Sequence, residues 1–559
     1  MNKNYEFYQT LIECDKLENS LWDLVVITAI SSQQKQCYEK QIQSKLKSKK
    51  LPVHFNFLVL SDPDDAKIGS GGSTLYVLKR LHDIYKNDLL TMKILLIHAG
   101  GYSQRQPTCT ILGKIFSPVA CESSYINDML DLKLAIYSPF SVHMKPGVFL
   151  TSSDDFESFE FDEQVELGKQ FGTADFVLIA HKSPLTVGKD HGVYALDESK
   201  STLIHQCKFV LQKPAVQKMR DLNVVIEDDD NNEFVYTDSV FYFGHSLTPK
   251  LIQFHGEYFD YIVANKIEID AYRDFLQPLG STPMEISAFL SSAGVQLENK
   301  PRVDLFTRVY ELFLGLNVIV VAPSGSDFFH LGTVNELLDF YLNEESSESV
   351  KFRRSLCFAK QIPKRVGGDA SGCVLYSKLG AKCELSELSL VEYCCFDDGT
   401  RLKVNDFCFI NNCSVKSEEL DVSSLNLEVP ANVCMHTIPI RVNSEIRYAT
   451  IFFNRNDDLK KSYNSISDIK LLGMSLPNEL CGLKLTHLNN NSIWSLKVFK
   501  YYETMSESFV NSLGFVNGYL KGNKLSSESL NEAVSLFDIL KLQSFEHIIS
   551  FRLDNGLLS

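Results

Sequence analysis

Apolar runs alternate with polar, helix-like stretches over the first 340 residues of the chain. Residues 21–30, 54–62 and 93–99 have the apolar character of buried strands. Between them, 33–49 is typical of a polar helix, and 73–86 has apolar positions close to helical spacing. This β, α, β, α, β order predicts a mostly parallel sheet with helices on its faces. The loops at the carboxyl ends of its strands should then meet at one edge, where such sheets bind ligands.

The same pattern continues through six further strand candidates, at residues 147–155, 174–181, 192–197, 208–214, 234–245 and 317–323. The Glu/Ser-rich stretch 343–350 has little to bury and predicts a linker. From Cys373 to Val415, short apolar segments are separated by polar turns, and LGAKCE resembles one turn of a hexapeptide β-solenoid. An irregular β-domain is the alternative. The predicted domains are 1–342 (α/β), 351–435 (β-solenoid-like) and 436–559 (an α+β appendage).

Charge and cysteine content narrow the class of protein. The chain has 559 residues, 44% hydrophobic and 22% charged, with 55 Lys and Arg against 70 Asp and Glu, a net charge of −15. This acidic balance argues against nucleic-acid or anionic-membrane binding but allows a local basic pocket. We find no secretory signal and no apolar run of membrane-spanning length, and therefore expect a cytoplasmic protein. The 14 cysteines include no C-x-x-C pair, so we expect reduced thiols and no structural metal.

The first glycine-rich loop, IGSGGST (68–74), follows a predicted strand and precedes a predicted helix. Because Gly69, Gly71 and Gly72 have no Cβ, their backbone N–H groups can approach a phosphate or a base. Ser73 or Thr74 is the expected helix cap. A turn that requires positive φ explains the glycines equally well.

The second loop, HAGGYSQRQPTCTILGK (98–114), follows the predicted strand 93–99. Gly100 and Gly101 open the turn, and we expect His98 to pack beneath it. Arg105 and Lys114 place a planar donor and a mobile point charge on one loop, which suits a triphosphate. The alternative is a surface loop with two ordinary cations.

At these residues the chain resembles a known family. The order G-G-x-S-x-R-x-P followed by G-K resembles the signature of sugar-phosphate nucleotidyltransferases. Combined with the upstream DPxxxxIGSGGST, it resembles the fucose-1-phosphate guanylyltransferase (GDP-L-fucose pyrophosphorylase) branch. Further matches follow in the family's order: VFLTSSDD (148–155), LTVGKDHGVYALD (185–197), LQKP (211–214), YTDSVFYF (236–243), EIDAYRDFL (268–276) and FFHLGTVNELLDF (328–340).

The resemblance implies a fold and a reaction. The fold would be a Rossmann-like nucleotidyltransferase mixed sheet of the GT-A type, followed by a β-rich region that includes a left-handed β-helix as one form. The reaction would convert GTP and L-fucose 1-phosphate into GDP-L-fucose and pyrophosphate, with Mg²⁺ as cofactor. Two rival functions stay open: a uridylyltransferase for another sugar 1-phosphate, and a non-catalytic nucleotide-sugar sensor or regulatory subunit. We also expect copies to associate through the β-rich region.

The resemblance also implies roles for the cations. Arg105 and Lys114 match the phosphate-binding cations, with Arg105 assigned to the triphosphate and the departing pyrophosphate. Lys213, in QKP at a predicted strand end, matches the lysine that binds the sugar phosphate. A solvated lysine is the alternative for Lys213.

Acidic residues complete the predicted site. Asp154 and Asp155 end a predicted strand, and one or both are the expected metal ligands, with an Asx turn as the alternative. Asp238 is either a second metal ligand or a sugar contact. By resemblance, His191 and Gly192 lie near the sugar-nucleotide pocket, although a lone His at a strand start is often structural. The remaining pair, Asp270 and Asp274, has the i, i+4 spacing of one helical face, either facing hydroxyls or solvated.

Overall fold

In a computed structural model of the chain, two compact units are formed. Unit 1 contains Met1–Gly101, Gly113–Phe116 and Tyr125–His330, and unit 2 contains Tyr102–Leu112, Ser117–Ser124 and Leu331–Ser559. This division differs from the predicted domains, because segment 102–112 and residues 331–342 belong to unit 2. The predicted linker 343–350 lies outside the described residues. The structure describes residues 2–14, 21–63, 66–119, 123–197, 203–228, 230–342, 372–420, 426–476, 491–523 and 532–557.

The first half of the unit 1 sheet is parallel, as the alternating pattern predicts. Its strands pair in the order β2-β1-β3-β4: β1 (Leu24–Ala29), β2 (Phe57–Ser61), β3 (Lys93–His98) and β4 (Gly147–Ser152). Every residue of β1 is buried, because helices cover both faces of such a sheet. The predicted β, α, β, α, β order is therefore confirmed.

The second half of this sheet is mixed. Its order continues β4-β10-β6-β11-β8-β7, with β10 antiparallel to β4 and β6, and β11 parallel to β6. These strands are β6 (Phe176–Pro184), β7 (Gly192–Leu196), β8 (Ile204–Gln212), β10 (Glu233–Gly244) and β11 (Val318–Val321). Strand β9 (Ile226–Glu227) belongs to the same sheet and pairs antiparallel with β10, whereas β5 (Asp155–Ser158) and β12 (Asp327–His330) lie outside it. Strands β5 and β12 pair with each other in a separate two-stranded sheet.

Ten helices of unit 1 are described: α1 (Asn2–Glu13), α2 (Ser32–Lys47), α3 (Gly69–Tyr85), α4 (Met129–Ser141), α5 (Phe161–Leu167), α6 (Leu185–Gly188), α7 (Val216–Asp221), α8 (Thr248–Ala264), α9 (Ile286–Ser292) and α10 (Lys300–Phe313). Helix α3 starts within the first glycine-rich loop. The expected capping role of Ser73 or Thr74 is wrong, because both lie inside the helix and no side chain caps its start at Ile68.

Unit 2 contains three small parallel sheets through which successive strands cycle. They pair β13-β16-β19-β22, β14-β17-β20 and β15-β18-β21, each strand with the one three positions further along. The strands are β13 (Cys373–Leu375), β14 (Lys378–Leu379), β15 (Cys383–Leu385), β16 (Leu390–Glu392), β17 (Cys395–Phe396), β18 (Arg401–Val404), β19 (Phe409–Asn411), β20 (Ser414–Val415), β21 (Asn426–Val429) and β22 (Val433–Val442). We call residues 373–442 the three-sheeted segment.

The rest of unit 2 mixes strands and helices. Strand β23 (Glu445–Asn454) pairs antiparallel with β22 and with β26 (Tyr501–Tyr502), and β24 (Lys470–Leu471) pairs with β25 (Met474–Ser475). The described helices are α11 (Val334–Leu342), α12 (Met505–Leu520), α13 (Leu536–Leu542) and α14 (Phe545–Asp554). Across the described residues, no helix combines the length and apolar character needed to cross a bilayer, and no disulfide joins the cysteines. The cytoplasmic location stays a prediction.

Candidate active site

An ion pair lies where β4 ends. Asp154 connects β4 to β5, and its Oδ2 lies 2.9 Å from Lys114 Nζ and 3.8 Å from His330 Nε2. Burial alone would raise the pKa of Asp154, but Lys114 and His330 outweigh it and hold that pKa below its ordinary value. The structure therefore brings together Lys114 and Asp154, which the sequence places 40 residues apart, and keeps the carboxylate ionised.

The adjacent Asp155 has a different partner. Its Oδ1 lies 3.1 Å from Nζ of Lys133 in α4, a side chain with 0% exposure. The same ammonium group donates to the hydroxyl of Thr151 at 3.1 Å. Both carboxylates are thus paired with a lysine, but the side chain of Asp154 is 24% exposed and that of Asp155 only 9%, so Asp154 is the predicted ligand that is better placed to face a cation. Among the described residues, no group of three or more His, Cys, Asp or Glu side chains is arranged to hold a metal ion.

Gly192 and Asp238 form a close backbone–carboxylate contact. The N–H of Gly192 donates to Asp238 Oδ1 at 2.8 Å, and a β-carbon on Gly192 would lie 2.5 Å from Asp238 Oδ2. Asp238 is 4% exposed. Burial raises its pKa to about 7, with Asp270 and Asp155 adding to the rise while the Gly192 hydrogen bond and Lys213 oppose it. Only glycine fits here without moving Asp238.

His191 and Lys213 lie next to this pair. The backbone N–H of Lys213 donates to the carbonyl of His191 at 3.0 Å. Lys213 has φ of 46°, an uncommon conformation for a residue with a β-carbon, at the end of β8. The rings of His191 and His330 lie 5.8 Å apart. Burial lowers the pKa of His191, and the charges of His330 and Lys213 lower it further.

The first glycine-rich loop holds another chain segment. The N–H groups of Gly71 and Gly72 donate to the carbonyl of Ile269 at 2.8 and 3.3 Å. Gly69 has φ of 73°, and a β-carbon there would clash with the same carbonyl. These glycines therefore allow α3 to start directly against residues 269–271. Nucleotide binding by Gly69, Gly71 and Gly72 stays a prediction.

The second glycine loop is tied to the end of β1. Gly100 N–H donates to the hydroxyl of Thr28 at 3.2 Å, and the carbonyl of Gly101 accepts from Gln34 Nε2 at 3.1 Å. His98, at the end of β3, lies 3.0 Å from the hydroxyl of Thr74. Burial lowers the pKa of His98 to about 4, as expected for a ring packed beneath the loop. The roles of Gly100 and Gly101 toward a nucleotide stay predictions.

Arg105 belongs to unit 2. Its exposed side chain lines a cavity of about 200 Å³ together with the start of α11 and residues 453 and 455–459. Arg455, which also lines this cavity, donates from Nη2 to Asp339 Oδ1 at 2.9 Å. The structure thus assigns Arg105 and Lys114 to different units, and the phosphate role of Arg105 stays a prediction.

The helical pair predicted at Asp270 and Asp274 is wrong. Residues 271–278 form turns rather than an α-helix, so the two carboxylates do not share a helical face. Asp274 is buried, accepting from Arg273 and from the N–H of Asp270 at 2.7 Å. Asp270 Oδ1 accepts from the N–H of Tyr272 at 2.8 Å. The carboxylates of Asp270 and Asp274 accept hydrogen bonds from nearby backbone N–H groups. Such bonds favour turns over a regular helix.

Sequence reasoning missed three residues of this region: Lys133, Tyr272 and His330. His330 and Tyr272 fall inside motifs already noted, FFHLGTVNELLDF and EIDAYRDFL, but nothing in their spacing marks them. Lys133 lies in a helix whose residues are all buried, whereas a lysine in a helix usually faces solvent. Its position therefore follows only from the folded structure.

Together these residues offer two cations and ionisable carboxylates, and His330 connects the two groups because it lies near both Asp154 and His191. Lys114 and Lys213 can neutralise phosphate oxygens, Asp154 can take a cation, and Asp238 can accept from a hydroxyl. Such positioning and charge neutralisation are what phosphoryl transfer requires.

Comparisons with known proteins identify the family. A human protein named fucose-1-phosphate guanylyltransferase is 32% identical over 95% of this chain and 90% of its own length, and the mouse protein of that name is 31% identical over 95% and 92%. A Thermus thermophilus structure described as mannose-1-phosphate geranyltransferase aligns over 78% of this chain and 95% of its own length, with a TM-score of 0.27 and 9% identity. These values are too low to indicate a shared fold or function. The model of the fucose pyrophosphorylase domain matches residues 86–515. The chain therefore belongs to the fucose pyrophosphorylase family.

Proposed function

We propose that this chain is a nucleotidyltransferase that forms GDP-L-fucose and pyrophosphate from GTP and L-fucose 1-phosphate. The observation that carries the proposal is the 32% identity, over 95% of the chain, to the human fucose-1-phosphate guanylyltransferase. The cluster of Lys114, Asp154, Lys213 and Asp238 supports the same chemistry.

The reaction joins a phosphate oxygen of L-fucose 1-phosphate to the α-phosphorus of GTP as the bond to pyrophosphate breaks. The attacking phosphate is already anionic near neutral pH, so a general base is unnecessary. Catalysis then depends on in-line positioning and on neutralising two polyanions. Lys213 would hold the sugar phosphate, Lys114 the triphosphate, and Arg105 the triphosphate and departing pyrophosphate.

We further propose Mg²⁺ as cofactor, held by Asp154 together with phosphate oxygens. Mg²⁺ often binds through one or two carboxylates plus substrate phosphates, and its charge would stabilise negative charge on those oxygens. Asp154 suits this role because its side chain is 24% exposed and its pKa is held low. Asp155 would instead position the loop through Lys133.

Two finer statements about the fold belong to this proposal. The mixed sheet of unit 1 supports a GT-A-type arrangement, and the pairing order of the three-sheeted segment supports a β-helix, which we propose to be left-handed from the family resemblance. Association of copies through that segment is part of the same hypothesis. Light scattering of the purified chain, with and without a charge substitution on an exposed residue of this segment such as Lys403 in β18, would test it.

The function is tested by measuring pyrophosphate release for every combination of GTP and UTP with L-fucose 1-phosphate and another hexose 1-phosphate. GTP with L-fucose 1-phosphate should give the highest kcat/KM. If UTP with another sugar phosphate is faster, the specificity is wrong and the reaction class survives. If no pair reacts, the chain is better explained as a nucleotide-sugar sensor.

Substitutions then test the assigned cations. Lys213→Ala and Arg105→Ala should each lower kcat by about 100-fold, as loss of a charge-stabilising donor does. Lys218→Ala, an exposed lysine in α7, is the matched control and should leave kcat unchanged. Unchanged turnover in Arg105→Ala would overturn the role of that side chain.

A further inference from the structure

The hydroxyl of Tyr272 lacks a hydrogen-bonding partner although it is buried. Its oxygen is inaccessible to solvent, and none of the described residues accepts from it. The ring packs edge-on against Phe241 of β10, with centroids 5.6 Å apart. Leaving a buried hydroxyl without a partner is unfavourable, so such a group in a binding region points to an acceptor on a ligand.

The surroundings of this hydroxyl are those of the candidate active site. Burial raises the pKa of Tyr272 well above its ordinary value, and the nearby negative charges of Asp155, Asp238, Glu157 and Asp154 raise it further. Asp238 is the residue contacted by Gly192, and Asp155 is adjacent to Asp154. Tyr272 therefore lies near Asp155 and Asp238, two carboxylates of the candidate active site.

Tyr272 is also held firmly by its own segment. The N–H of Ile269 donates to the carbonyl of Ile68 at 2.9 Å, and the Ile269 carbonyl accepts from Gly71 and Gly72. The hydroxyl of Ser70 accepts from the N–H of Ala271 at 2.9 Å. The glycine-rich loop and residues 269–271 thus interlock, which fixes the backbone directly before Tyr272. Such rigid support is what a residue that selects between ligands needs.

We propose that Tyr272 is a specificity-determining residue whose hydroxyl donates a hydrogen bond to a ring hydroxyl of L-fucose 1-phosphate. This inference rests on the proposed function and adds a residue that determines which sugar phosphate binds. A polyhydroxylated sugar fits because each of its hydroxyl groups accepts as well as donates, so one group can accept from Tyr272 while donating to the nearby Asp238 carboxylate.

The test compares wild type with Tyr272→Phe, which deletes only the hydroxyl. Initial rates are measured at saturating GTP with L-fucose 1-phosphate and with its 2-deoxy, 3-deoxy and 4-deoxy analogues. Tyr272→Phe should lower kcat/KM for L-fucose 1-phosphate at least about tenfold. For one analogue, wild type and variant should have equal kcat/KM, because the acceptor of the bond is already missing. The KM for GTP should not change.

Three results would overturn the inference: equal kcat/KM for both proteins with the full substrate, an equal loss with all four sugars, or a raised KM for GTP. If a water molecule, and not the sugar, accepts the hydrogen bond from the Tyr272 hydroxyl, both proteins should have equal kcat/KM with the full substrate. Stability provides a second readout, since removing an unpartnered hydroxyl should leave Tm unchanged or raised, and a clear fall would show a protein partner and contradict the proposal. Tyr242→Phe is the control: its hydroxyl donates to Pro146 at 2.9 Å, so Tm should fall while sugar selectivity stays.

Wild type is assayed first, which separates the two hypotheses. If it forms no GDP-L-fucose, the proposed function fails, and the inference fails with it. If it does, but Tyr272→Phe gives any of the three contrary patterns, only the role of Tyr272 is wrong.

Discussion

The contact between Gly192 and Asp238 is the tightest constraint on the site at the level of single residues. In Gly192→Ala the new β-carbon would lie 2.5 Å from Asp238 Oδ2 and 3.0 Å from Gln212 Oε1. Asp238 must then move, and we expect kcat/KM to fall about 100-fold, since a displacement of about 1 Å costs that much. Steady-state kinetics with varied L-fucose 1-phosphate would measure the loss.

Gly256→Ala in α8 is the matched control for this substitution. A β-carbon there has no atom within 4 Å, so kcat/KM should be unchanged and the helix stabilised by about 1 kcal/mol. Full activity in Gly192→Ala would show that Asp238 does not need its present position.

Asp62, just after β2, predicts a pH dependence of stability. It is 8% exposed, and Ser73 donates to its Oδ1 at 2.7 Å. Burial raises its pKa from 3.8 to about 6, against the opposing effect of Ser73. The folded state therefore binds this proton more tightly than the unfolded chain, and stability falls as pH rises from 3.8 to about 6. The full loss above that range is about 3 kcal/mol.

Asp62→Asn removes the charge and should abolish this loss. The variant should be more stable than wild type above pH 6 and similar to it below about pH 4. Urea unfolding followed by Trp22 fluorescence in a Trp494→Phe background would report on unit 1 alone, since these are the two tryptophans of the chain. Ser73→Ala should extend the loss of stability to higher pH and enlarge it, because it removes the hydrogen bond that lowers the pKa of Asp62. Parallel pH curves for wild type and Asp62→Asn would contradict the argument.

Sequence reasoning located part of the site at this scale. Motif order placed His191, Gly192, Lys213 and Asp238 in one family signature, and the structure brings them together. The partner of Asp155 was not predictable, because Lys133 becomes a buried ion-pair partner only when α4 packs against β4 and β5.

At the level of elements, apolar runs predicted the parallel strands well because those strands are buried on both faces. The boundary of α3 was missed by four residues: the glycines of IGSGGST lower helix propensity, yet they begin the helix because they fit against Ile269. For the three-sheeted segment, the sequence predicted short apolar segments separated by polar turns but not how the strands pair. Two- to four-residue strands carry too little periodicity to fix their pairing.

Arg552 of helix α14 allows a test of what holds this helix against the three-sheeted segment. Its Arg552 is 5% exposed, donates from Nε to Asn412 at 3.1 Å, and lies 3.6 Å from the ring centroid of Tyr393. Arg552→Ala would remove these contacts to the three-sheeted segment and should destabilise the docking of α14 by about 3 kcal/mol. Amide hydrogen exchange across residues 545–554 should accelerate, while exchange in the unit 1 sheet stays the same.

Arg552→Lys separates charge from shape in the same experiment. Lysine keeps the positive charge but cannot stack a planar group on Tyr393, so an intermediate exchange rate is expected. If Arg552→Ala leaves the α14 amides as protected as in wild type, other contacts hold the helix.

How the chain is divided between its two units follows from its path and not from shifts in its composition. The chain leaves unit 1 after Gly101 and enters unit 2 for residues 102–112. Within unit 2, Trp494 Nε1 donates to the carbonyl of Gln104 at 3.2 Å, and Cys109 Sγ lies 3.1 Å from Ser117 Oγ. The sequence predicted a linear series of domains, because shifts in composition mark boundaries along the chain. Such shifts do not show that a segment leaves one unit and enters another.

This path predicts that residues 1–342 cannot serve as an independent catalytic domain. A chain ending at 342 keeps segment 102–112 but loses most of unit 2, so Ile111 and Leu112, each 5% exposed in the full chain, lose part of the unit in which they are buried. We expect the truncated chain to aggregate and to release no pyrophosphate, whereas the full chain remains soluble and active. Size-exclusion chromatography and the pyrophosphate assay would measure both properties. A soluble fragment 1–342 with the kcat of the full chain would show that segment 102–112 does not need unit 2, and that Arg105 reaches its phosphate without it.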